Sequence, residues 1–249
     1  MIHFLFMALT LDAGMKAASD AGASPAVTVA KPSAETQALV DRMQAFYEKS
    51  TDFTADFRQD YTYKAFKRTT TSTGKITYKR SDKGPKMRWE YEKPEPKSFV
   101  LAEDKVRLYD PAAMTLTMSP MSTDKLSASV TFLWGQGKLA SEFSIVQKPC
   151  DKCTGVLLEL TPLRPDPRFK QVRLEVDPKT ATVLKSTVVD PDGSENAITF
   201  LNLKTNVGVS DDAFKIVLPK GVQVVDLSAV SPTPPKDSAK PAPAHDGGL

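Results

Sequence analysis

The segment Gly74-Lys-Ile-Thr-Tyr-Lys-Arg80, followed by Pro85-Lys-Met-Arg-Trp-Glu-Tyr-Glu-Lys-Pro94, decides the fold class. In it Ile76 and Tyr78 alternate with Lys75 and Thr77, and Met87, Trp89 and Tyr91 alternate with Arg88 and Glu90. A period of two is the signature of strands with one apolar face and one wet face. Just upstream, Phe53, Ala55 and Phe57 alternate with Thr54, Asp56 and Arg58 in the same way.

Downstream the rhythm continues. Strands are expected at Ser98–Ala102, Lys105–Tyr109 and Thr115–Ser119, bounded by Lys93-Pro-Glu-Pro96, Glu103-Asp104 and Asp110-Pro111 turns. Between Ser122 and Glu142 the pattern changes, and Leu126, Val130, Phe132, Leu133, Trp134 and Leu139 suit short helical segments broken at Gly135 and Gly137. Strands resume at Phe143–Lys148, Gly155–Leu160, Gln171–Val176, Val183–Val189 and Ala197–Leu203, with a last one at Val222–Asp226. Ahead of them all, Pro32-Ser33 offers a helix cap, and Leu39, Val40, Met43, Phe46 and Tyr47 form one apolar stripe ending near Ser50. An amphipathic helix before many strands packs on a sheet. The expected fold is mainly β with helices: a curved antiparallel half-barrel of about eleven strands, lidded by the N-terminal helix and short central helices.

The ends read differently. The apolar run from Met1 to Leu11 is too short to span a membrane, and Ala21-Gly-Ala23 suits signal-peptidase cleavage, although a basic n-region is missing. Residues 1–34 are therefore expected to be leader and flexible linker, 35–228 the folded domain, and 229–249 a disordered Pro/Ala/Lys tail. No cysteine near the apolar run offers a lipid anchor, and no later stretch reaches membrane-spanning length.

Composition narrows the chemistry. The 249 residues are 41% apolar and 25% charged with a net charge of +3, and Lys and Arg are interleaved with acids rather than gathered in blocks. Nucleic acid is not the expected partner. The only two histidines, His3 and His245, lie in the leader and the tail. The body thus lacks the usual general base and the commonest zinc ligand, and neither an enzyme, a metal site nor a cofactor is expected. Cys150-Asp-Lys-Cys153 falls between two strands rather than at a helix start, and a disulfide across that turn is preferred to a redox or zinc motif.

A curved sheet either fills its inner face with side chains or encloses a cavity. The inner-face candidates are large and soft: Phe53, Phe57, Met87, Trp89, Met114, Met118 and Phe132. Ordinary cores contain such residues too, and periodicity does not separate the two cases.

A resemblance does. The quoted stretch, continued through Phe99-Val-Leu-Ala-Glu-Asp-Lys-Val-Arg-Leu-Tyr-Asp-Pro111, resembles the periplasmic lipoprotein carrier family, LolA. Phe53-Thr-Ala-Asp-Phe-Arg-Gln59 is similar to the family's first strand. Ile198-Thr-Phe-Leu-Asn-Leu-Lys-Thr-Asn206 and Leu218-Pro-Lys-Gly-Val-Gln-Val224 look like its closing strand and final turn. The resemblance runs from about Glu35 to Asp226. It implies a lidded half-barrel whose apolar cavity takes acyl chains, here lined by Phe53, Phe57, Ile76, Met87, Trp89, Tyr91, Leu101, Met114, Met118, Phe132 and Phe200. It implies a soluble, monomeric periplasmic protein that takes acylated lipoproteins from an inner-membrane ABC-type transporter to an outer-membrane acceptor. In that family a basic residue at the loop's start hydrogen-bonds the lid. Arg80 matches it, with Arg88 as the fallback because Ser81-Asp-Lys-Gly84 is inserted before Pro85. A sensor of mislocalised lipoproteins using the same half-barrel is the alternative, and it would call for a further partner-binding domain.

Overall fold

A computed structural model of the chain describes residues 32–120 and 138–229. Helix α1 (Ala34–Lys49) starts where the sequence places it: the Ser33 side chain caps it by accepting from the Thr36 amide at 3.2 Å. Ser50 closes it, its amide donating to the Phe46 and Tyr47 carbonyls. The strands are β1 (Asp52–Tyr63), β2 (Arg68–Lys79), β3 (Lys86–Lys93), β4 (Lys97–Ala102), β5 (Lys105–Asp110) and β6 (Thr115–Pro120). After the short helix α2 (Leu139–Glu142) come β7 (Phe143–Lys148), β8 (Val156–Pro162), β9 (Gln171–Val176), β10 (Val183–Val189), β11 (Glu195–Thr205) and β12 (Gln223–Asp226). The leader, the tail and most of the expected central helical stretch, Phe132 and Trp134 included, lie outside the described residues.

All twelve strands form one open sheet in the order β12-β6-β5-β4-β3-β2-β1-β11-β10-β9-β8-β7. Two antiparallel meanders, β1–β6 and β7–β11, meet where β1 pairs with β11. The fold is the mainly-β half-barrel expected, with one strand more and one exception to antiparallel pairing. β12 runs parallel to β6, Val224 facing Leu116. Its long lead-in, residues 206–222, makes that possible, because a parallel neighbour needs a crossover rather than a tight turn.

Curvature comes from irregular register. Bulges fall between Thr54 and Asp56 against β11, between Thr73 and Gly74 against β3, and between Val183 and Lys185 against β9. Gly74 has a steric reason as well: a Cβ there would lie 1.9 Å from the Glu90 carbonyl oxygen and 2.9 Å from the Phe57 ring.

The inner face, defined as the one carrying Trp89, is continuous across the sheet. Its rows run Phe53–Tyr78–Met87–Leu101–Val106 and Ala55–Ile76–Trp89–Phe99–Leu108. Beyond β1 the same side continues in the row of Gln59, through Ile198, Ser186, Leu174 and Leu158. Helix α1 packs on the β7–β10 half through Leu39, Val40, Met43 and Tyr47. Three polar contacts pin it there. The Thr36 hydroxyl donates to Gln147 Oε1 at 3.3 Å, Arg42 donates to the Pro178 carbonyl at 2.9 Å, and the Val183 amide donates to the Tyr47 hydroxyl at 3.1 Å.

The outer face is covered by the chain after β11. Phe214, in a 3₁₀ turn at Asp211–Phe214, packs with Val100 and Ala102. Asp52, itself buried, accepts from the Val207 amide at 2.7 Å and the Gly208 amide at 3.2 Å, fastening the start of that segment.

Candidate lipid-binding face

The β1–β5 part of the inner face gathers most of the residues that the resemblance nominates. Phe53, Phe57, Ile76, Met87, Trp89, Tyr91 and Leu101 belong to one buried cluster, and Phe200 packs against both this cluster and the one under α1. Phe57 is 1% exposed and Trp89 3%. Register explains the meeting. Phe57 faces Gly74 on β2 and Phe200 on β11, and Gly74 faces Tyr91 on β3. A glycine between two rings leaves the space into which both turn: Phe57 meets Trp89 edge to face at 4.9 Å and Tyr91 at 5.1 Å. Phe53 stacks on Tyr78 at 5.0 Å.

Polar atoms here are matched locally. The Trp89 indole N–H donates to the Met87 sulfur at 3.0 Å. The Tyr91 hydroxyl donates to Gln59 Oε1 at 3.0 Å, and burial pushes its pKa well above the ordinary tyrosine value, so it stays protonated. Tyr78 is raised too, first by burial, with the neighbouring Arg80 opposing.

Three nominated positions fall elsewhere. Met114 sits in the turn between β5 and β6, 38% exposed and with a φ of 50°. Met118 lies on β6 opposite Arg107, which faces Val100 on β4, so its side chain is on the outer face. There it borders a hollow of about 830 Å³ with Leu116, Phe214 and Ile216. The reason is the pleat: Thr117 and Ser119, not Leu116 and Met118, share the side of Val106 and Leu108. Phe132 lies outside the described residues. Conversely, Tyr78, Phe99, Val106 and Ile198 belong to the cluster and were not nominated. The alternation of Phe99 with Val100 and of Ile198 with Thr199 carried that signal.

The two arginines have distinct places. Arg80, just past β2, donates to the Glu48 carbonyl at 2.8 Å and the Tyr47 carbonyl at 3.1 Å. These are C-terminal carbonyls of α1, where a cation also meets the negative end of the helix dipole. Arg88 is on the outer face, where it pairs with Glu90 and donates to the Lys215 carbonyl at 3.0 Å and the Ala213 carbonyl at 3.3 Å. It holds the C-terminal segment and does not reach α1.

Cys150 and Cys153 are bonded to each other in the β7–β8 loop, with Cα atoms 5.4 Å apart. Among the described residues no group of three or more His, Cys, Asp or Glu is placed to hold a metal ion, and no helix is long and apolar enough to cross a membrane.

Comparison with known proteins accords with this geometry. The family model described as "Outer membrane lipoprotein carrier protein LolA" matches residues 48–217. The outer-membrane lipoprotein carrier protein of Methylobacillus flagellatus is 28% identical over 75% of this chain and 88% of its own length. That of Neisseria meningitidis serogroup B is 30% identical over 80% of this chain and 92% of its own. Among solved structures, an uncharacterized conserved protein from Thermus thermophilus shares the fold, with a TM-score of 0.50 at 16% identity, covering 76% of this chain and 98% of that one.

Proposed function

The chain belongs to the LolA family of outer-membrane lipoprotein carriers, and on that premise we propose that it is a soluble periplasmic carrier. It shelters the acyl chains of lipoproteins and delivers them from an inner-membrane ABC-type transporter to an outer-membrane acceptor. The lining is Phe53, Phe57, Ile76, Met87, Trp89, Tyr91, Leu101 and Phe200, with Arg80 holding α1 in place. What supports the reading most is the aromatic and methionine cluster on the inner face of an open sheet.

The physics requires a carrier and also limits it. Burying a methylene is worth about 0.8 kcal/mol, so a chain of about 16 carbons represents roughly 12 kcal/mol. An acylated protein does not leave a membrane unaided at a useful rate. The carrier has to cover the chains yet release them, and rings with a thioether can repack around a guest without demanding fixed polar contacts. Handover of this kind needs no covalent step and no catalytic residue.

The test is native and lipid mass spectrometry of the protein purified from a host with an outer membrane. Acylated lipid or lipoprotein should copurify with the wild type, and Trp89→Glu should reduce the load. Trp89→Leu serves as the milder variant if the glutamate prevents folding. A protein that is always empty, and whose binding of fluorescent acyl probes neither substitution changes, would overturn the reading.

A further inference from the structure

The hairpin between β1 and β2 ends in Tyr63-Lys-Ala-Phe-Lys-Arg68, and its tip stands clear of the sheet. β2 pairs with β1 as far as Arg68 opposite Tyr63, but β3 leaves β2 at Thr73 and β11 leaves β1 at Thr62. Both neighbours stop short of the turn, and residues 64–71 are exposed. Because β1 starts beside the end of α1, the tip lies at the far end of the sheet from the Arg80 tie.

Phe66 is 79% exposed and is the only exposed aromatic side chain among the described residues. A lone apolar side chain on a surface calls for no explanation, but Phe66 is the outermost of three rings in series. Tyr61 meets Tyr63 edge to face at 4.5 Å, and Tyr63 meets Phe66 at 6.5 Å. Burial falls along the series, from a buried Tyr61 through a half-buried Tyr63 to the open phenyl. The turn is held in shape. The Lys67 amide donates to the Lys64 carbonyl at 3.4 Å, and the Lys64 amide donates to Ser194 Oγ at 3.2 Å. The Thr62 and Thr69 hydroxyls bond across the hairpin at 2.9 Å, and the Tyr61 hydroxyl donates to Asp190 at 2.7 Å.

Three cations, Lys64, Lys67 and Arg68, surround the ring, and none forms a salt bridge among the described residues. Acids approach on one side only. Lys64 leans over Gly193 of the β10–β11 turn, where an added Cβ would lie 3.0 Å from its Nζ, and Asp190 and Asp192 of that turn offset its charge. The other acids nearby are engaged elsewhere: Asp60 with Arg58 and Thr71, and Glu195 with Arg173. Lys67 and Arg68 keep their charge uncompensated.

The shape narrows the partner. A protein partner is normally met by an extended patch with several anchors seated in pockets. Here one ring projects from a convex turn, and the flanking Thr69, Thr70 and Thr71 add hydroxyls rather than apolar area. A single apolar anchor ringed by cations matches a soft surface that is negative outside and apolar beneath, which is an anionic phospholipid bilayer. Tyr63, one ring behind, falls at the depth where an amphipathic aromatic is favoured.

We propose that this hairpin tip docks the protein on anionic phospholipid bilayers. Phe66 enters the boundary between head groups and acyl chains, and Lys67 and Arg68 meet lipid phosphates. One ring and a few charges hold a protein only briefly, which suits a chain that visits a membrane and leaves it. The contact goes beyond the acyl-binding reading, which concerns the inner face.

The experiment is cosedimentation of the purified full chain with vesicles of phosphatidylethanolamine and phosphatidylglycerol, and with vesicles of phosphatidylcholine alone. At low salt the wild type should partition onto the anionic vesicles about tenfold more strongly than onto the neutral ones, and added salt should shrink the difference. Phe66→Ser should weaken anionic partitioning about tenfold, whereas Phe66→Trp should keep it. Lys67→Gln combined with Arg68→Gln should weaken it about twentyfold and remove most of the salt dependence. These positions are exposed, so the thermal midpoint and the binding of acyl probes should not change. A wild type that binds both vesicles alike, or variants that keep wild-type partitioning, overturns the membrane contact and leaves the inner-face reading standing. Vesicle docking by a protein that binds no acyl probe upholds the contact and overturns the inner-face reading instead. Absence of vesicle binding, with cargo delivery lost in Phe66→Ser, assigns the tip to a protein partner and overturns the proposal.

Discussion

The two halves of the inner face share one sheet and one side of it, yet they are built from different materials. Under α1, on β7–β10, the cluster is aliphatic: Ile145, Leu158, Leu160, Val172, Leu174, Val176 and Val183, with Phe143 and Phe169 at one end. On β1–β5 it is aromatic and sulfur-bearing: Phe53, Phe57, Tyr78, Met87, Trp89, Tyr91 and Phe99. All four buried apolar side chains of α1 belong to the first cluster. Branched aliphatics locked under a helix make a permanent core. Rings meeting edge to face beside a methionine can shift against one another at lower cost. An apolar face is therefore not one kind of object, and composition together with its covering element says which half holds the fold and which is suited to a guest.

The largest expected effect tests that division directly. Leu174→Ala, at a fully buried site under α1, should lower unfolding stability by about 2–5 kcal/mol. Its acyl affinity should stay within about twofold, measured where the variant is folded. Phe57→Ala in a permanent core would lose about 3–5 kcal/mol, whereas a lining able to collapse should lose less than about 2 kcal/mol and forfeit most acyl binding. Urea unfolding of both variants, paired with a probe-binding titration, gives the answer. Equal stability losses with unchanged binding would erase the comparison.

The next effect concerns the tie between the halves. Arg80 extends from the end of β2 in the aromatic half to the last turn of α1 in the aliphatic half. Arg80→Met keeps much of the stem and removes two charge-assisted bonds, so a loss of about 1–2 kcal/mol is expected, reduced by partial exposure. The sharper readout is hydrogen exchange: the Ser50 amide, which closes the helix on the Phe46 and Tyr47 carbonyls, should exchange faster. Unchanged exchange there would mean that Arg80 contributes nothing to holding the end of α1.

How much of this the sequence disclosed follows from how local each feature is. The Ser33 cap, the stripe from Leu39 to Tyr47 and the alternation through Trp89 are local, and the helix and nearly every strand sit within a few residues of expectation. Alternation shows which residues share a face and is silent on which face that is. Leu116 and Met118 share one, but it is the outer, because the pleat carries Thr117 and Ser119 inward. Pairings at long range were also hidden. The parallel partnership of β12 with β6 depends on where the chain re-enters after crossing the outer face. The Gln59–Asn196 bond joins residues 137 positions apart. Two amides separated so widely give no pattern until the sheet brings them together.

The smallest effect is electrostatic and belongs to the aliphatic half. Asp166 accepts from the Arg168 amide at 2.9 Å and from Arg168 Nε at 2.8 Å, in the loop that delivers Phe169 to the cluster. The Arg168 hydrogen bond is the main cause holding this carboxyl below the usual aspartate range, with partial burial opposing it. A folded-state value below the unfolded one, about 3.9, means that the contribution is present above that pH and is lost as pH falls through the folded value. Between pH 7 and 5 the pair should therefore not alter stability with pH, and below about pH 4 it should weaken. Solvent still reaches the pair, whose side chains are 18% and 33% exposed, so the loss is modest. Asp166→Asn should flatten the decline of the thermal midpoint between pH 5 and 3. It should also remove the acid-induced fall in protection of the Lys170 amide, which donates to the Val189 carbonyl at 2.8 Å. Acyl binding on the aromatic half should be indifferent to the substitution. If it changed in step with Lys170 protection, the two halves would be coupled more tightly than their separate compositions imply.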